Sequence, residues 1–556
     1  MEKLKPKLFS VMKTYSAGQF VKDLISGIIV AIIALPLSIA LAIASGATPE
    51  MGILTAIFGG FVIAFLGGSR VQIAGPTAAF ATIVAGIIAS KGYEGLFYAT
   101  IIAGLILILM GLFRFGSLIK YIPYTITTGF TAGIAVTIAI GQLKDFLGLT
   151  YPPGDPIIET IDKVKAVVVN IDTFNWQALV IGLVSMAILI IFQKFLPKVP
   201  GSLVAVIVSV LLVIIFKMNV NTIGDLYEIT SGFPTPKIQP FSFATIRSVI
   251  PDAFTIAILA AIESLLSCVV ADSMINSKHR SNMELVAQGF GNMASAIFGG
   301  IPATGAIART AANIKNGGRT PIAGMVHAVV LLMVLVFLMP VAKFIPMPTI
   351  AAILIMVAYN MSGWKEIKGL LKTAPKSDIL VLVVTFTLTV VFDLVVAIEV
   401  GMVLSCILFM KRMSDVTNVE GWKYIDDNND TETDADSLDL REVPKNTLVY
   451  ELSGPLFFGA AEKIMQISID DKHNCLVLRM RSVNAIDATA MRNLEKIREK
   501  CEEKKITLVL SHVNEQPMNV MKKSGFFEKV GEANFCAHID AALERAKSFD
   551  TKTEEK

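Results

Sequence analysis

Charged side chains are scarce in this chain of 556 residues. Asp, Glu, Lys and Arg make up 17% of it, whereas 54% of its residues are hydrophobic and the mean hydropathy is +0.64. A soluble protein carries about 25% charged residues. The deficit therefore argues against a wholly soluble protein, and the formal net charge of +3 points to no particular partner.

Cysteine pairs and nucleotide-binding loops are also lacking. The five cysteines are scattered with no C-x-x-C pair, which argues against a metal site and against a disulfide framework. No G-x-x-x-x-G-K-[ST] loop occurs, which argues against ATP-driven pumping. The N-terminus MEKLKPKLFSVMKTYS has no apolar core and does not read as a signal peptide. We expect no catalytic residue, no cofactor, no metal and no nucleic-acid partner.

The chain has instead a succession of apolar runs, several of them long enough to cross a bilayer as helices. Fourteen segments are predicted: 20–45, 51–68, 71–90, 94–113, 121–143, 176–195, 201–217, 252–272, 283–299, 303–313, 321–340, 346–359, 377–391 and 393–410. Lys and Arg concentrate in alternate loops, as expected when both termini are cytoplasmic. The sequence thus predicts a multi-pass protein of the cell (inner or plasma) membrane, with the lipid bilayer as a partner.

Two of these segments are interrupted by glycine and proline. The stretch IAGPTAAFA spans residues 73–81, and GGIPATGAIART spans residues 299–310. Pro76 and Pro302 are 226 residues apart, and Pro36 and Glu263 are 227 apart, so the two halves keep the same spacing. Seven segments per half is an odd number, which makes the halves inverted repeats. Broken helices at matching positions of inverted repeats indicate a transport site near the membrane midplane.

The residue types at the interruptions suit an anion. A helix that begins at membrane depth directs unpaired N–H groups and the positive end of its dipole into the surrounding cavity. Thr77 and Thr304 each follow such a proline, so the two helix N-termini would form an anion cradle. The alternative is a pair of proline kinks that serve only packing.

Charged residues lie close to the predicted cradle. Glu263 occurs within an apolar run, where a carboxylate should face a cavity or a partner. Ser267 follows it by four residues and so shares its helix face. Arg309 lies about one turn into the second broken helix. A structural Glu263–Arg309 ion pair is the alternative to a functional role.

Three stretches together resemble the SulP family, solute carrier family 26: DLISGIIVAIIALPLSIALAIASGATPEMGI, GGSRVQIAGPTAAF and GGIPATGAIARTAANIKNGGRTPIAG. The resemblance covers nearly the whole chain. It implies a polytopic α-helical membrane protein with 14 segments in a 7+7 inverted repeat with two broken helices, divided into a mobile core and a gate. It also implies a small cytosolic α/β STAS domain at the C-terminus and a homodimer.

The domain limits follow from composition together with this resemblance. We predict a cytosolic N-terminal segment at 1–19, a transmembrane transport domain at 20–413, an acidic linker at 414–444 and the STAS domain at 445–550. The linker contains DDNNDTETDAD. After it, TLVYELSGPLFF, CLVLRM and ITLVLSHV are typical of strands, and ATAMRNLEKIREKCEEK is typical of an amphipathic helix.

The resemblance also implies a set of site residues. The family binds its anion between the third and tenth helices, with the first helix lining the site, and the corresponding residues here are Ser38, Leu41, Thr77, Ala78, Ala306, Ala308 and Arg309. Bicarbonate-transporting relatives hold Na⁺ with Asp and Thr where this chain has Glu263 and Ser267, and they lack the arginine that matches Arg309. IPATGAIARTAAN resembles proton-coupled dicarboxylate members more closely. We therefore expect secondary active, proton-coupled symport of sulfate, a dicarboxylate or bicarbonate by alternating access, with Glu263 and Ser267 in ion coupling.

Other functions stay open at this point. A nucleobase–cation symporter has a similar membrane architecture, and a membrane sensor could signal through the tail to a cytosolic partner of the STAS domain. In the tail, AIDATAMRNL (485–494) resembles the STAS loop that carries a phosphorylated serine in soluble relatives. Thr489 occupies that place as a possible phosphosite, but it could equally cap the following helix together with Asp487.

Overall fold

The computed structural model describes residues 4–152, 157, 159–196, 199–228, 232–240, 242–392, 394–422, 443–444, 446–459, 461–465, 467–469 and 472–550. The chain forms two compact units, Met1–Met402 and Val403–Lys556. In the described part, seven helices are long and apolar enough to cross a membrane, and two shorter apolar helices accompany them. The predicted helical membrane protein with an α/β tail is confirmed.

The first half of the membrane unit follows the predicted segments closely. Its elements are α1 (Leu8–Val11), α2 (Ala17–Ala44), α3 (Pro49–Leu54), α4 (Gly60–Leu66), β1 (Ala74–Gly75), α5 (Ala81–Leu112), α6 (Tyr124–Gly141), α7 (Leu143–Leu147), α8 (Thr160–Val169), α9 (Trp176–Phe195), α10 (Gly201–Phe216) and α11 (Ile223–Leu226). A π-helical turn at Thr55–Gly59 joins α3 to α4. Gly92 adopts φ +67°, so α5 is kinked there and joins two of the predicted segments.

The second half repeats this pattern. Its elements are α12 (Phe243–Ile275), α13 (Ser281–Ile297), β2 (Thr304–Gly305), α14 (Ile307–Lys315), α15 (Ile322–Phe337), α16 (Met347–Met361), α17 (Trp364–Thr373), α18 (Lys376–Val391) and α19 (Leu394–Val416). Helix α12 begins well before the predicted residue 252, because the Ser242 hydroxyl accepts a hydrogen bond from the Thr245 N–H at 3.3 Å and caps it.

The two broken helices meet where their backbones leave helical geometry. Strands β1 and β2 pair antiparallel, with Ala74 opposite Gly305 and Gly75 opposite Thr304. An antiparallel pair is what two inverted halves produce when equivalent segments meet. Helices α12 and α13 pack along α5, so elements of the second half enclose the first broken helix.

The C-terminal unit is an α/β domain. Its strands are β3 (Asn418–Trp422), β4 (Thr447–Ser453), β5 (Cys475–Ser482), β6 (Thr507–Ser511) and β7 (Phe535–Cys536), and its helices are α20 (Ala461–Ile464), α21 (Ala488–Glu503), α22 (Glu515–Lys523), α23 (Phe526–Val530) and α24 (Ile539–Asp550). The sheet order is β3-β4-β5-β6-β7. Strands β4 to β7 are parallel, and β3 is antiparallel to β4. Leu476 packs into the core on one face and Val477 into the core on the other, which explains the continuous apolar run of β5.

The beginning of the predicted linker 414–444 is regular structure. Helix α19 continues to Val416, and β3 pairs with β4 over Asn418–Trp422. The sequence of β3, NVEGW, contains both Glu and Gly, which weakens its strand pattern. Residues 423–442, with the acidic run, lie outside the described residues.

Candidate functional site

The second broken helix presents free N–H groups at its start. The Ala306 N–H donates to the Ile73 carbonyl at 2.9 Å, and α14 begins at the next residue. Helix geometry then leaves the N–H groups of Ile307, Ala308 and Arg309 without an intrahelical acceptor. Ile307 is 40% exposed and Ala308 is also exposed, so this helix start opens onto accessible space.

The first broken helix begins with a 3₁₀ turn at Ala78–Phe80, directly before α5. Thr77 precedes this turn with extended backbone, and its side chain makes no capping hydrogen bond. The turn therefore has orphan N–H groups of its own. Ala78 is buried and Thr77 is half-buried. Both helix starts lie beside the paired strands β1 and β2.

Arg309 connects the two helix starts. Its side chain is 2% exposed, and its Nη2 donates to the Pro76 carbonyl at 2.5 Å. Its Nε and Nη1 are buried without a hydrogen-bond partner among the residues that the structure describes. A buried guanidinium with unused donors beside two helix N-termini is suited to bind an oxyanion.

Glu263 contacts the opposite helix start. The Thr77 hydroxyl donates to Glu263 Oε2 at 2.8 Å. Within the described residues, Glu263 and Arg309 form no salt bridge, so the ion pair considered from the sequence is not present. Ser267 is buried and donates to the Thr310 hydroxyl at 3.5 Å, a long hydrogen bond.

Two further predicted residues lie on α2. Leu41 is 2% exposed and belongs to the large apolar cluster that also contains Ala78 and Phe80. Ser38 lies one helical turn before Leu41 and is fully buried. Its Oγ is buried without a hydrogen-bond partner among the residues that the structure describes.

A glycine makes room for the Arg309 side chain. A Cβ atom on Gly75 would lie 2.5 Å from Arg309 Nη1, which is closer than side-chain packing allows. Gly75 is also one of the paired residues of β1. The glycine of the Gly-Pro interruption therefore interrupts the helix and also leaves space for the Arg309 guanidinium.

We expect Gly75→Ala to displace the guanidinium and to weaken anion binding by about 10- to 100-fold, the effect of losing a hydrogen bond to a charged group. Titration calorimetry against anions, with thermal unfolding alongside, measures this. Gly86→Ala is the matched control, because Gly86 belongs to the same broken helix and a Cβ there meets nothing within 4 Å. Equal anion affinity in the two variants would contradict this role of Gly75.

A buried carboxylate that the sequence analysis did not single out holds the first broken helix in place. Glu284 Oε2 accepts the N–H groups of Gly68 at 2.8 Å and Ser69 at 3.0 Å. Its Oε1 accepts the amide N–H groups of Gln72 at 2.8 Å and Gln288 at 3.0 Å. Four donors thus satisfy one fully buried carboxylate and fix the segment that leads into β1.

Side-chain amides hold the remaining segments. Asn292 accepts the Ala303 N–H at 2.8 Å and donates to the Ala303 carbonyl at 2.9 Å. Asn313 donates to the Val71 carbonyl at 2.8 Å. The sequence contains a pattern that indicates these buried polar residues: Glu284, Gln288 and Asn292 recur every four residues on one face of an otherwise apolar span.

The fold and this site define a membrane transporter with a STAS domain. The sequence pattern of the sulfate permease family matches residues 20–385, and that of the STAS domain matches residues 439–544. This chain belongs to the sulfate permease (SulP) family. It is a membrane-embedded anion transporter and not an enzyme.

Relatives of full length support the assignment. "Putative sulfate transporter YvdB" of Bacillus subtilis (strain 168) is 40% identical over 95% of this chain and 98% of its own. The bicarbonate transporter BicA of Picosynechococcus is 32% identical, over 94% of each chain.

Solved structures show the same architecture. The transmembrane domain of a cyanobacterial BicA covers 70% of this chain and 98% of its own, with 30% identity and a TM-score of 0.61. Murine Slc26a9, an anion transporter in the inward-facing state, covers 98% of this chain and 94% of its own, with a TM-score of 0.87 at 20% identity. The similarity to Slc26a9 concerns the fold alone.

Family membership favours an anion transporter over the nucleobase–cation symporter.

Thr489 belongs to the C-terminal unit. The N-cap of α21 is Asp487, whose Oδ1 accepts the Ala490 N–H at 2.8 Å. Thr489 is exposed in the first turn. The capping role belongs to Asp487, and the phosphosite stays a prediction.

Proposed function

We propose that this protein is a proton-coupled symporter of a small oxyanion that works by alternating access in the cell membrane, with both termini cytoplasmic. The observation that carries the proposal is the Arg309 guanidinium, which is buried between two helix starts with Nε and Nη1 unbonded. Leaving such donors unpaired costs about 1–3 kcal/mol. A ligand that accepts these hydrogen bonds recovers that free energy.

The substrate is an anion with several oxygen atoms. Arg309 offers a planar fork of donors, which suits sulfate, a carboxylate or bicarbonate. The N–H groups at the start of α14, which runs from Ile307 to Lys315, and at the 3₁₀ turn Ala78–Phe80 supply further donors. The names of the relatives, sulfate and bicarbonate transporters, support the same class.

Glu263 is the proposed proton carrier, with Ser267 on the same helix face. In the charged form, Glu263 accepts the Thr77 hydroxyl. Protonation of the carboxyl weakens this hydrogen bond, because a neutral carboxyl is a weaker acceptor than a carboxylate. The Thr77 hydroxyl can then donate to an anion instead. An anion near Glu263 in turn favours protonation, because two negative charges repel. Proton and anion therefore bind cooperatively and raise each other's affinity by the same factor. Sodium is the less favoured coupling ion.

The proposed moving body is the set of elements that the buried amides join. Glu284 on α13 fixes the chain before β1, and Asn313 on α14 bonds the same stretch at Val71. Helix α15 packs along α2. Because these contacts connect both broken helices, we infer that the cradle moves as one piece against the remaining helices during alternating access.

We further propose a transport domain at 20–413, a STAS domain at 445–550, a homodimer and a cytosolic partner of the STAS domain.

All the cradle residues precede α15. Because β3 pairs with β4, a clean truncation ends at Thr417 and removes the whole sheet. We expect this truncation to insert into membranes and to bind anions with nearly unchanged affinity. Complete loss of binding in a stable truncated protein would contradict the separation of the two functions.

Countertransport in proteoliposomes tests the proposed function. Liposomes loaded with sulfate, a dicarboxylate or bicarbonate are given the labelled anion outside, with and without an inward proton gradient. We expect saturable exchange for at least one anion, and accumulation that depends on the gradient. A membrane sensor would show no exchange of any of them.

A further inference from the structure

The N-terminal segment is fastened to the membrane unit by Lys7. Its backbone N–H donates to the Gly67 carbonyl at 2.8 Å. Its ammonium donates to the Lys278 carbonyl at 2.8 Å. Lys7 thereby joins the loop after α4 to the loop before α13.

Arg280 fastens the same segment from the other side. Its Nη1 donates to the Lys5 carbonyl at 2.7 Å, and its Nη2 donates to the Ser10 hydroxyl at 3.0 Å. Its backbone N–H donates to the Gly68 carbonyl at 3.0 Å. Residues 5–10 are thus held against both loops by main-chain and hydroxyl oxygens.

Arg70 completes a group of three cations. All three side chains, those of Lys7, Arg70 and Arg280, are half-buried, and none forms a salt bridge within the part of the chain that the structure describes. Within the same described part, the Nε of Arg70 is buried without a hydrogen-bond partner. Lys7 and Arg280 bond to the adjacent residues Gly67 and Gly68, shortly before Arg70 in the chain, so the three cations lie close together. Burial, followed by the positive charges of Arg280 and Arg70, lowers the pKa of Lys7.

Neither of the nearby carboxylates forms a salt bridge with this group within the residues that the structure describes. The negative charge of Asp272 raises the pKa of Lys7, but less than the other causes lower it. Asp272 Oδ2 accepts a hydrogen bond from the His279 backbone N–H at 2.7 Å and lies 2.7 Å from the His279 ring nitrogen Nδ1. Glu284 accepts hydrogen bonds from four other groups, among them the Gly68 N–H. The three cations therefore have no direct carboxylate partner in the described part of the chain, and they face water in part.

We propose that Lys7, Arg70 and Arg280 form a second anion site, separate from the cradle, that binds a phosphate group. A tetrahedral phosphate can accept hydrogen bonds from two guanidinium groups and an ammonium at once. Apolar side chains of the N-terminal segment, Phe9 at 47% and Met12 at 48%, are exposed beside it. The phosphate can therefore belong to a phospholipid head group at the membrane surface or to a soluble phosphate.

The test uses the full chain in phosphatidylcholine nanodiscs. One arm adds phosphatidylglycerol to the discs, and the other adds inorganic phosphate to the buffer. The readout is protection of Lys7 from amine-reactive labelling, followed by mass spectrometry. For Arg70→Gln we expect about fivefold weaker protection by the ligand, the effect of one basic contact at an anionic surface. Lys13→Gln, an exposed lysine outside the three, is the control and should behave as wild type.

Each outcome decides the proposal or its ligand. Protection by phosphatidylglycerol alone assigns a lipid head group, and protection by inorganic phosphate alone assigns a soluble ligand. If Arg70→Gln does not fold, Arg70→Lys replaces it and should weaken protection less. Absence of protection in both arms, or equal protection of wild type and the Arg70 variant, would overturn the site.

Discussion

Arg309→Ala should abolish high-affinity anion binding while leaving a folded protein. Truncating a buried charged partner of a ligand costs about 2–5 kcal/mol, which is roughly 30-fold or more in affinity. Stability should change little, because the one hydrogen bond of this cation in the described part of the chain is to a neutral carbonyl, that of Pro76, and loss of the cation also removes the cost of burying an unpaired charge.

Titration calorimetry and thermal unfolding measure the two effects on the same preparations. Arg309→Met keeps most of the side-chain volume without the charge. We expect it to lose as much anion affinity as Arg309→Ala but to unfold at a higher temperature, because it leaves a smaller cavity. Arg247→Ala, an exposed arginine on α12, is the control that should bind as wild type. Unchanged affinity in well-folded Arg309→Ala would show that the anion binds elsewhere.

Glu263→Gln should separate exchange from accumulation. Glutamine resembles the protonated carboxyl and can leave the Thr77 hydroxyl free for the anion. We therefore expect exchange of labelled anion to persist in this variant, because the step that depends on protonation is bypassed. Accumulation driven by an inward proton gradient should disappear.

Accumulation in proteoliposomes at a fixed inward proton gradient is the measurement for Glu263. The control is Glu228→Gln, because Glu228 is exposed and lies outside the cradle. If Glu263→Gln accumulates anion like the parent, the proton is carried by another residue, and the cradle assignment of Arg309 is unaffected.

The two broken helices could be predicted from the sequence, because glycine and proline rarely interrupt apolar segments at two matching positions without breaking the helices there. Pro76 and Pro302 identified the broken helices, and the pairing of β1 with β2 confirms that the interruptions meet. Arg309 was identified with them, since its place near a helix start follows from local sequence alone.

The partners of these residues could not be predicted. Thr77 and Glu263 are 186 residues apart, and whether Glu263 bonds a hydroxyl or a guanidinium depends on packing geometry that no local pattern encodes. The partners of Glu284 could not be predicted for a related reason, because three of its four donors come from a loop 212 to 216 residues earlier in the chain. Strand β3 was missed because its short sequence gains strand character only by pairing with β4.

A structure determined with selenate, an anomalously scattering analogue of sulfate, tests the central claim most directly. The account predicts an anomalous peak within hydrogen-bond distance of Arg309 and of the helix starts at Ala78 and Ala308, and its absence in Arg309→Ala. Saturable selenate binding with the peak elsewhere and the cradle empty would contradict it.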